Sequence, residues 1–259
     1  MKGNTLQDSV IDALSRRKQY KYPYFFLALY LTLLLSTTCL ASKLTLIGTM
    51  LVPGGIFVFP LTFSICDIVG EVYGYAYPRL FIWVGILAEF VFSIIVITVS
   101  HLPVPAFFEH ADAYQIVFDP TLRYVGAGLL GLLVGEFANT YLLVKWKIFL
   151  RGRFFIFRSL LSTAFGQACL TVIVDIFNYF GKLSDQGLGW MMVYGYCWKM
   201  LCALIVVFPA WLLVRYLKKV ENVDHYDVNT NFNPFILSLN EGEEAAAVAR
   251  SVNTESLPQ

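Results

Sequence analysis

The stretch Gly55–Gly74, GIFVFPLTFSICDIVGEVYG, decides how the chain is read. It opens with a run suited to the inside of a lipid bilayer. It then admits two carboxylates, Asp67 and Glu71, four residues apart. Residues at i and i+4 share one face of a helix. The stretch therefore predicts a membrane-crossing helix whose acidic face must be turned away from lipid.

The rest of the chain supports this. Of its 259 residues, 58% are hydrophobic and only 14% are charged, and the mean hydropathy is +0.64. Soluble domains sit near half apolar and a quarter charged. The apolar residues fall in runs of roughly 20, the length that crosses about 30 Å of hydrocarbon. The sequence predicts an all-α membrane protein built as a six-transmembrane-helix bundle. Its spans are expected at about Tyr24–Ser42, Gly54–Tyr73, Leu80–Ser100, Leu122–Val144, Phe155–Phe180 and Met191–Tyr216. Leu44–Pro53 is apolar but too short to cross, and reads as a re-entrant piece or an extension of a neighbouring span.

Residues 1–21 read as a cytoplasmic N-terminal tail and 22–219 as the transmembrane domain. Residues 220–259 read as a cytoplasmic tail, with 221–236 packing on the inner face and the acidic end disordered. The short loops set the orientation. Lys145, Lys147, Arg151 and Arg153 join the fourth and fifth spans, and Arg215, Lys218 and Lys219 follow the sixth, whereas 101–120 holds no Lys or Arg. Both termini are thus expected in the cytoplasm, in the inner membrane. The net charge of +1 and the lack of a basic stripe give no sign of a nucleic-acid partner. The five cysteines lie in apolar runs without paired spacing and read as small buried hydrophobes. Gly131-xxx-Gly135 and Gly70-xxx-Gly74 read as close helix packing.

A charged side chain at a helix centre costs about 2.5–3.5 kcal/mol on insertion scales, so those that persist are functional candidates. Mid-span depth holds Asp67, Glu71, Glu89, Glu136, Asp175 and Lys199, with Asn139, Gln167 and Asn178 as neutral companions. On the fifth span Gln167, Thr171, Asp175 and Asn178 form one polar stripe. Plainer readings stand beside this one. Asp67 and Glu71 can pair with Arg79 to pin a short loop, Glu89 can make an isolated interhelical hydrogen bond, and Lys199 can neutralise a buried carboxylate. HExxH, GxSxG and metal-spaced His or Cys clusters are missing, so neither an enzyme nor a cofactor is expected. A bundle with an internal polar pocket describes a transporter better.

Four stretches, FPLTFSICDIVGEVYGYAYPR, VGEFANTYLLVKWK, RSLLSTAFGQ and VDHYDVNTNFNPF, resemble the queuosine precursor transporter family, also called the vitamin uptake transporter family. The resemblance implies an importer of 7-deazaguanine bases, the cyano and aminomethyl precursors of the tRNA nucleoside queuosine. It also implies an architecture like the substrate-binding S-components of energy-coupling-factor importers. A deazaguanine presents adjacent N1–H and N2–H donors that a carboxylate accepts as a pair. On this reading Glu71 and Glu136 grip the base and Asp67 balances charge. Asn139 or Gln167 supplies a donor to O6, and Tyr73, Phe137 or Trp198 sandwiches the ring. The family's acids near Leu170 and Ala203 are missing here, so Asp175 is expected to replace them opposite Lys199. The alternative is an S-component-like subunit for a vitamin or purine-like ligand that docks on an ATPase. A homodimer is left open.

Overall fold

The computed structural model describes residues 20–48, 50–105, 107–227 and 230–235. Among the described residues, six helical segments are long and apolar enough to cross a membrane. The first, α1 (Pro23–Ala41), starts with a proline whose fixed φ suits a first turn. It buries Phe26, Tyr30, Leu34 and Thr38 at four-residue spacing. Leu44–Pro53 then departs from both expectations for it. It is an antiparallel hairpin of β1 (Leu44–Ile47) and β2 (Met50–Pro53), in which Ile47 pairs with Met50. The positive φ of Gly48, 62°, supplies the tight turn that such a short loop needs.

The second span begins as a 3₁₀ turn (Gly54–Phe57) and continues as α2 (Phe59–Tyr73). It is the central element: 78% of its window is buried, against 22–28% for the first, third and sixth spans. The third span is α3 (Ala76–Ser100), and a short α4 (Ala111–Phe118) follows it. The fourth is composite, running from α5 (Thr121–Gly131) through a π-helical turn (Leu132–Glu136) into α6 (Phe137–Phe149). Lys147, counted above with loop charges, therefore lies inside α6 and is buried. The fifth is α7 (Phe155–Tyr179). The last, α8 (Asp185–Glu221), outruns the expected Met191–Tyr216 at both ends. The Ser184 hydroxyl caps it by accepting from Gly187 N–H at 3.2 Å.

The outer faces of the spans carry apolar side chains such as Leu87, Ile95, Ile205 and Phe208, which suits contact with lipid. Cys39 and Cys197 lie on this exterior, and of the five cysteines, all free, only Cys66 is fully buried. The two glycine motifs behave differently. A Cβ at Gly135 would stand 2.6 Å from the Gly166 carbonyl oxygen, so α7 crosses the π turn backbone to backbone. Gly70, by contrast, has only ordinary contacts, with Pro78 and Val144, and Gly74 ends α2 at φ 89°.

The beginning of α1 and the end of α8 share one face of the bundle, where Lys21 N–H donates to Glu221 Oε1 at 2.9 Å. We call this the tail face. The described parts of 222–235 lie across it. The Asp227 carboxylate accepts from Tyr75 N–H at 3.2 Å, Arg79 donates to the Asn231 and Asn233 carbonyls, and the Trp83 indole donates to the Pro234 carbonyl at 2.7 Å. Phe232 packs on Tyr75 and Tyr141. The acidic end and residues 1–19 lie outside the described residues.

Candidate functional site

A cavity opens in the half of the bundle remote from the tail face. It lies between the outer ends of α1 and α7, the 3₁₀ turn, α3, α5 and α8. Its empty space, with the open solvent at its mouth included, is about 710 Å³. Phe59, Leu34, Leu132, Tyr124 and Tyr179 give it apolar and aromatic walls. Thr37 and Thr38 line it from α1, and four charged or amide side chains enter it: Glu89 from α3, Asp175 and Asn178 from α7, and Lys199 from α8.

Local helix geometry aims each of them. Asp175 and Asn178 belong to the i, i+4 polar stripe of α7, which also carries Thr171. Lys199 Nζ donates to Thr171 Oγ1 at 2.9 Å and feels the charge of Asp175 nearby. The Thr38 hydroxyl on α1 donates to Glu89 Oε1, an interhelical bond. Asn178 Oδ1 is buried with no protein partner, an acceptor left facing the interior.

Two further polar groups lie toward the tail face. In the first, Glu136 Oε2 accepts from Tyr30 at 2.7 Å, while its Oε1 is buried with no protein partner. Asp67 accepts from Asn139 at 2.8 Å, from Ser159, and from Thr163 at 3.4 Å. Every donor here is neutral. The second group is ionic. Glu71 meets Lys218 at 2.7 Å, Arg158 at 3.0 Å and Lys147 at 3.8 Å, while Asp224 of the tail meets Lys147 at 2.8 Å and Lys218 at 2.9 Å. This cluster ties α2, α6, α7, α8 and the tail segment together.

Of the residues assigned to the substrate site in the sequence, only Asp175 and Lys199 line the cavity. Asp67, Glu136 and Asn139 belong to the neutral group behind it. Gln167 is fully buried nearby on the α7 stripe, neither amide atom making a hydrogen bond to the protein. Glu71 sits in the ionic cluster. Tyr73 packs at a tilt against Tyr20 and Tyr77 at the tail face. Trp198 packs edge-on against Phe57, and Phe137 against Trp83. Glu89 and Asn178 were legible as polar residues at depth but not as cavity residues. Tyr30, Ser159 and Arg158 gave little signal, because a tyrosine, a serine or an arginine near a span end is ordinary.

Among known families, the model described as "Putative vitamin uptake transporter" matches residues 53–214, more than half of the chain and five of its six spans. Neither the curated proteins nor the solved structures provide a match.

Proposed function

Because the chain belongs to the vitamin uptake transporter family, we propose that it imports a queuosine precursor, a 7-deazaguanine base, through the inner membrane with both termini in the cytoplasm. The observation that carries this reading is the cavity itself: two carboxylates, an amide and an ammonium open into one apolar, aromatic-walled space. A flat base with a donor-rich edge suits it. Asp175 or Glu89 accepts the N1–H and N2–H pair, and Lys199 or the Asn178 amide donates to O6. The second carboxylate suits the ammonium of an aminomethyl group. Tyr124, Tyr179 and Phe59 supply the apolar faces that a heterocycle needs.

Import by alternating access requires one closed face. The Glu71 cluster and the overlying tail segment support a closed tail face while the cavity lies on the other side. A cell that neither makes nor imports these bases tests the reading. Expressing the chain and supplying the cyano, aminomethyl and free queuine bases separately should restore tRNA queuosine with at least one. Failure with all three, in cells where the protein reaches the membrane, overturns the substrate.

One observation favours the reading as a docking subunit. Ala28 and Thr32 are exposed on α1, and the Thr32 and Ser36 hydroxyls turn back onto the Ala28 and Thr32 carbonyls, leaving a smooth small-residue strip. Co-purification of an ATPase module would support that alternative.

A further inference from the structure

Three interior carboxyl groups form a series across the bundle: Glu89, Glu136 and Asp67, with 4%, 0% and 2% exposure. Their order follows from the helices that hold them. On α1, Thr38 bonds Glu89 and Tyr30 bonds Glu136, with buried Leu34 between the two. On α6, Asn139, one turn beyond Glu136, bonds Asp67. Asp67 lies one turn from Glu71 on α2. The order thus runs from the cavity toward the tail face as Glu89, Glu136, Asp67 and Glu71.

Within this series, among the described residues, only Glu71 is paired with cations. Among the described residues, the ion pairs of Lys147, Arg158 and Lys218 go to Glu71 and Asp224. Lys199 shares the cavity with Glu89, Asp175, Tyr124 and Tyr179, but donates to Thr171. Tyr30 and Cys66 face Glu136, while Ser159, Thr163 and Asn139 face Asp67. Two or three anions in a row, shielded from water and without counter-charge, repel one another and each bears a desolvation cost of several kcal/mol. A bound proton removes that cost. Hydroxyl neighbours suit either state, since each both donates and accepts. The unpartnered Glu136 Oε1 leaves a site for the proton or for a bridging water. The π turn that ends at Glu136 is a local device often found where helices carry function.

We propose that substrate import is coupled to inward movement of a proton carried by Glu89, Glu136 and Asp67. The inference rests on the transporter reading above and names its driving ion. The balance is simple. The Glu89 carboxylate takes a proton from cavity water. Glu136, having passed its own proton to Asp67, takes the proton from Glu89, each transfer being carried by water between the groups. Asp67 then releases a proton to water at the tail face and is left as a carboxylate. One proton disappears from the cavity side and one appears at the tail side; nothing is oxidised or reduced. Glu71 is paired with three cations and stands outside the relay. With its cations it forms the barrier at which the relay stops until the tail-face cluster opens. Because Glu89 shares the cavity with the substrate, its protonation and cavity occupancy are linked.

The full chain in liposomes, with a pH dye inside and membrane potential clamped, tests this with cyano- and aminomethyl-deazaguanine as probes. Substrate addition should acidify the lumen, and one pH unit of imposed gradient should drive about tenfold accumulation of a neutral base at one proton each. Glu136→Gln and Asp67→Asn should abolish both. Transport of labelled base with no dye response, or acidification kept by both variants, overturns the coupling and leaves the substrate reading standing. If neither base crosses, the substrate reading fails and infrared spectroscopy decides the proton inference. A protonated-carboxyl band at neutral pH, lost in Glu136→Gln, supports it; its absence in the parent protein overturns it.

Discussion

Asp67 and Glu71 stand one helical turn apart on α2, yet the first is held by three neutral side chains and the second by three cations. The contrast arises because α2 is enclosed on nearly every side. One turn of helix is enough to move a carboxylate from the hydroxyl- and amide-lined interior to the ends of α6, α7 and α8, where the basic residues lie.

Substituting the two should therefore have unequal effects on stability. Glu71→Gln leaves Arg158 buried without its counter-charge and Lys147 with Asp224 alone, a change worth about 3–5 kcal/mol. Asp67→Asn disturbs neutral hydrogen bonds and should cost about 1 kcal/mol. Thermal unfolding of the purified protein in detergent measures both; equal losses would contradict the charge assignment.

The crossing of Gly135 and Gly166 leaves no room for a methyl group, since a Cβ at Gly166 would meet the Gly135 carbonyl oxygen at 2.5 Å. Gly166→Ala should destabilise by about 1–3 kcal/mol through overpacking. Gly126 on α5 has nothing within 4 Å of its would-be Cβ. Gly126→Ala should be neutral or stabilise by up to about 1 kcal/mol from helix propensity. Melting temperatures that fell alike in the two variants would show that close packing is not what Gly166 provides.

Asp224 lies beyond the last span. Burial raises its pKa, but hydrogen bonds and charge from Lys147 and Lys218 outweigh that and hold it below the ordinary carboxylate range. A depressed folded-state pKa means that its contribution is complete above the unfolded value of about 3.9 and is lost as pH falls through the lower folded value. The gap in melting temperature between the parent protein and Asp224→Asn should be constant near neutrality and close as pH falls below about 4. A gap independent of pH would remove the ionic role of Asp224.

Asp175 and Lys199 share the cavity and sense each other's charge. Asp175→Asn and Lys199→Met should each cut uptake at least about tenfold, and the double variant should lose less than the product of the two. Initial uptake rates at matched membrane expression give the comparison. Multiplicative losses would mean that the two residues act separately.

How much was legible beforehand varies by element. The spans from Gly54 to Tyr73 and from Phe155 to Tyr179 could be read almost to the residue, because hydrocarbon thickness sets their length and lipid dictates their composition. The hairpin at Leu44–Pro53 could not. Four-residue apolar strands have no period long enough to separate them from a helix end, and the deciding feature is the backbone of Gly48. The α7 stripe was visible as spacing, and two of its members, Asp175 and Asn178, do line the cavity.

By itself, then, the sequence determined that six stretches are long and apolar enough to cross a membrane, that certain helix faces are polar, and that buried acids demand an explanation. These are one-dimensional properties, set by the cost of exposing charge or unpaired backbone to hydrocarbon. Only the tertiary structure decided which acid meets which partner. Glu71 found Arg158, Asp67 found Asn139 and Ser159, Glu136 found Tyr30, and the cavity formed around Glu89, Asp175, Asn178 and Lys199. Such pairings join residues from separate helices. Their crossing points and rotations depend on close contacts such as Gly135 against Gly166, which no single helix encodes.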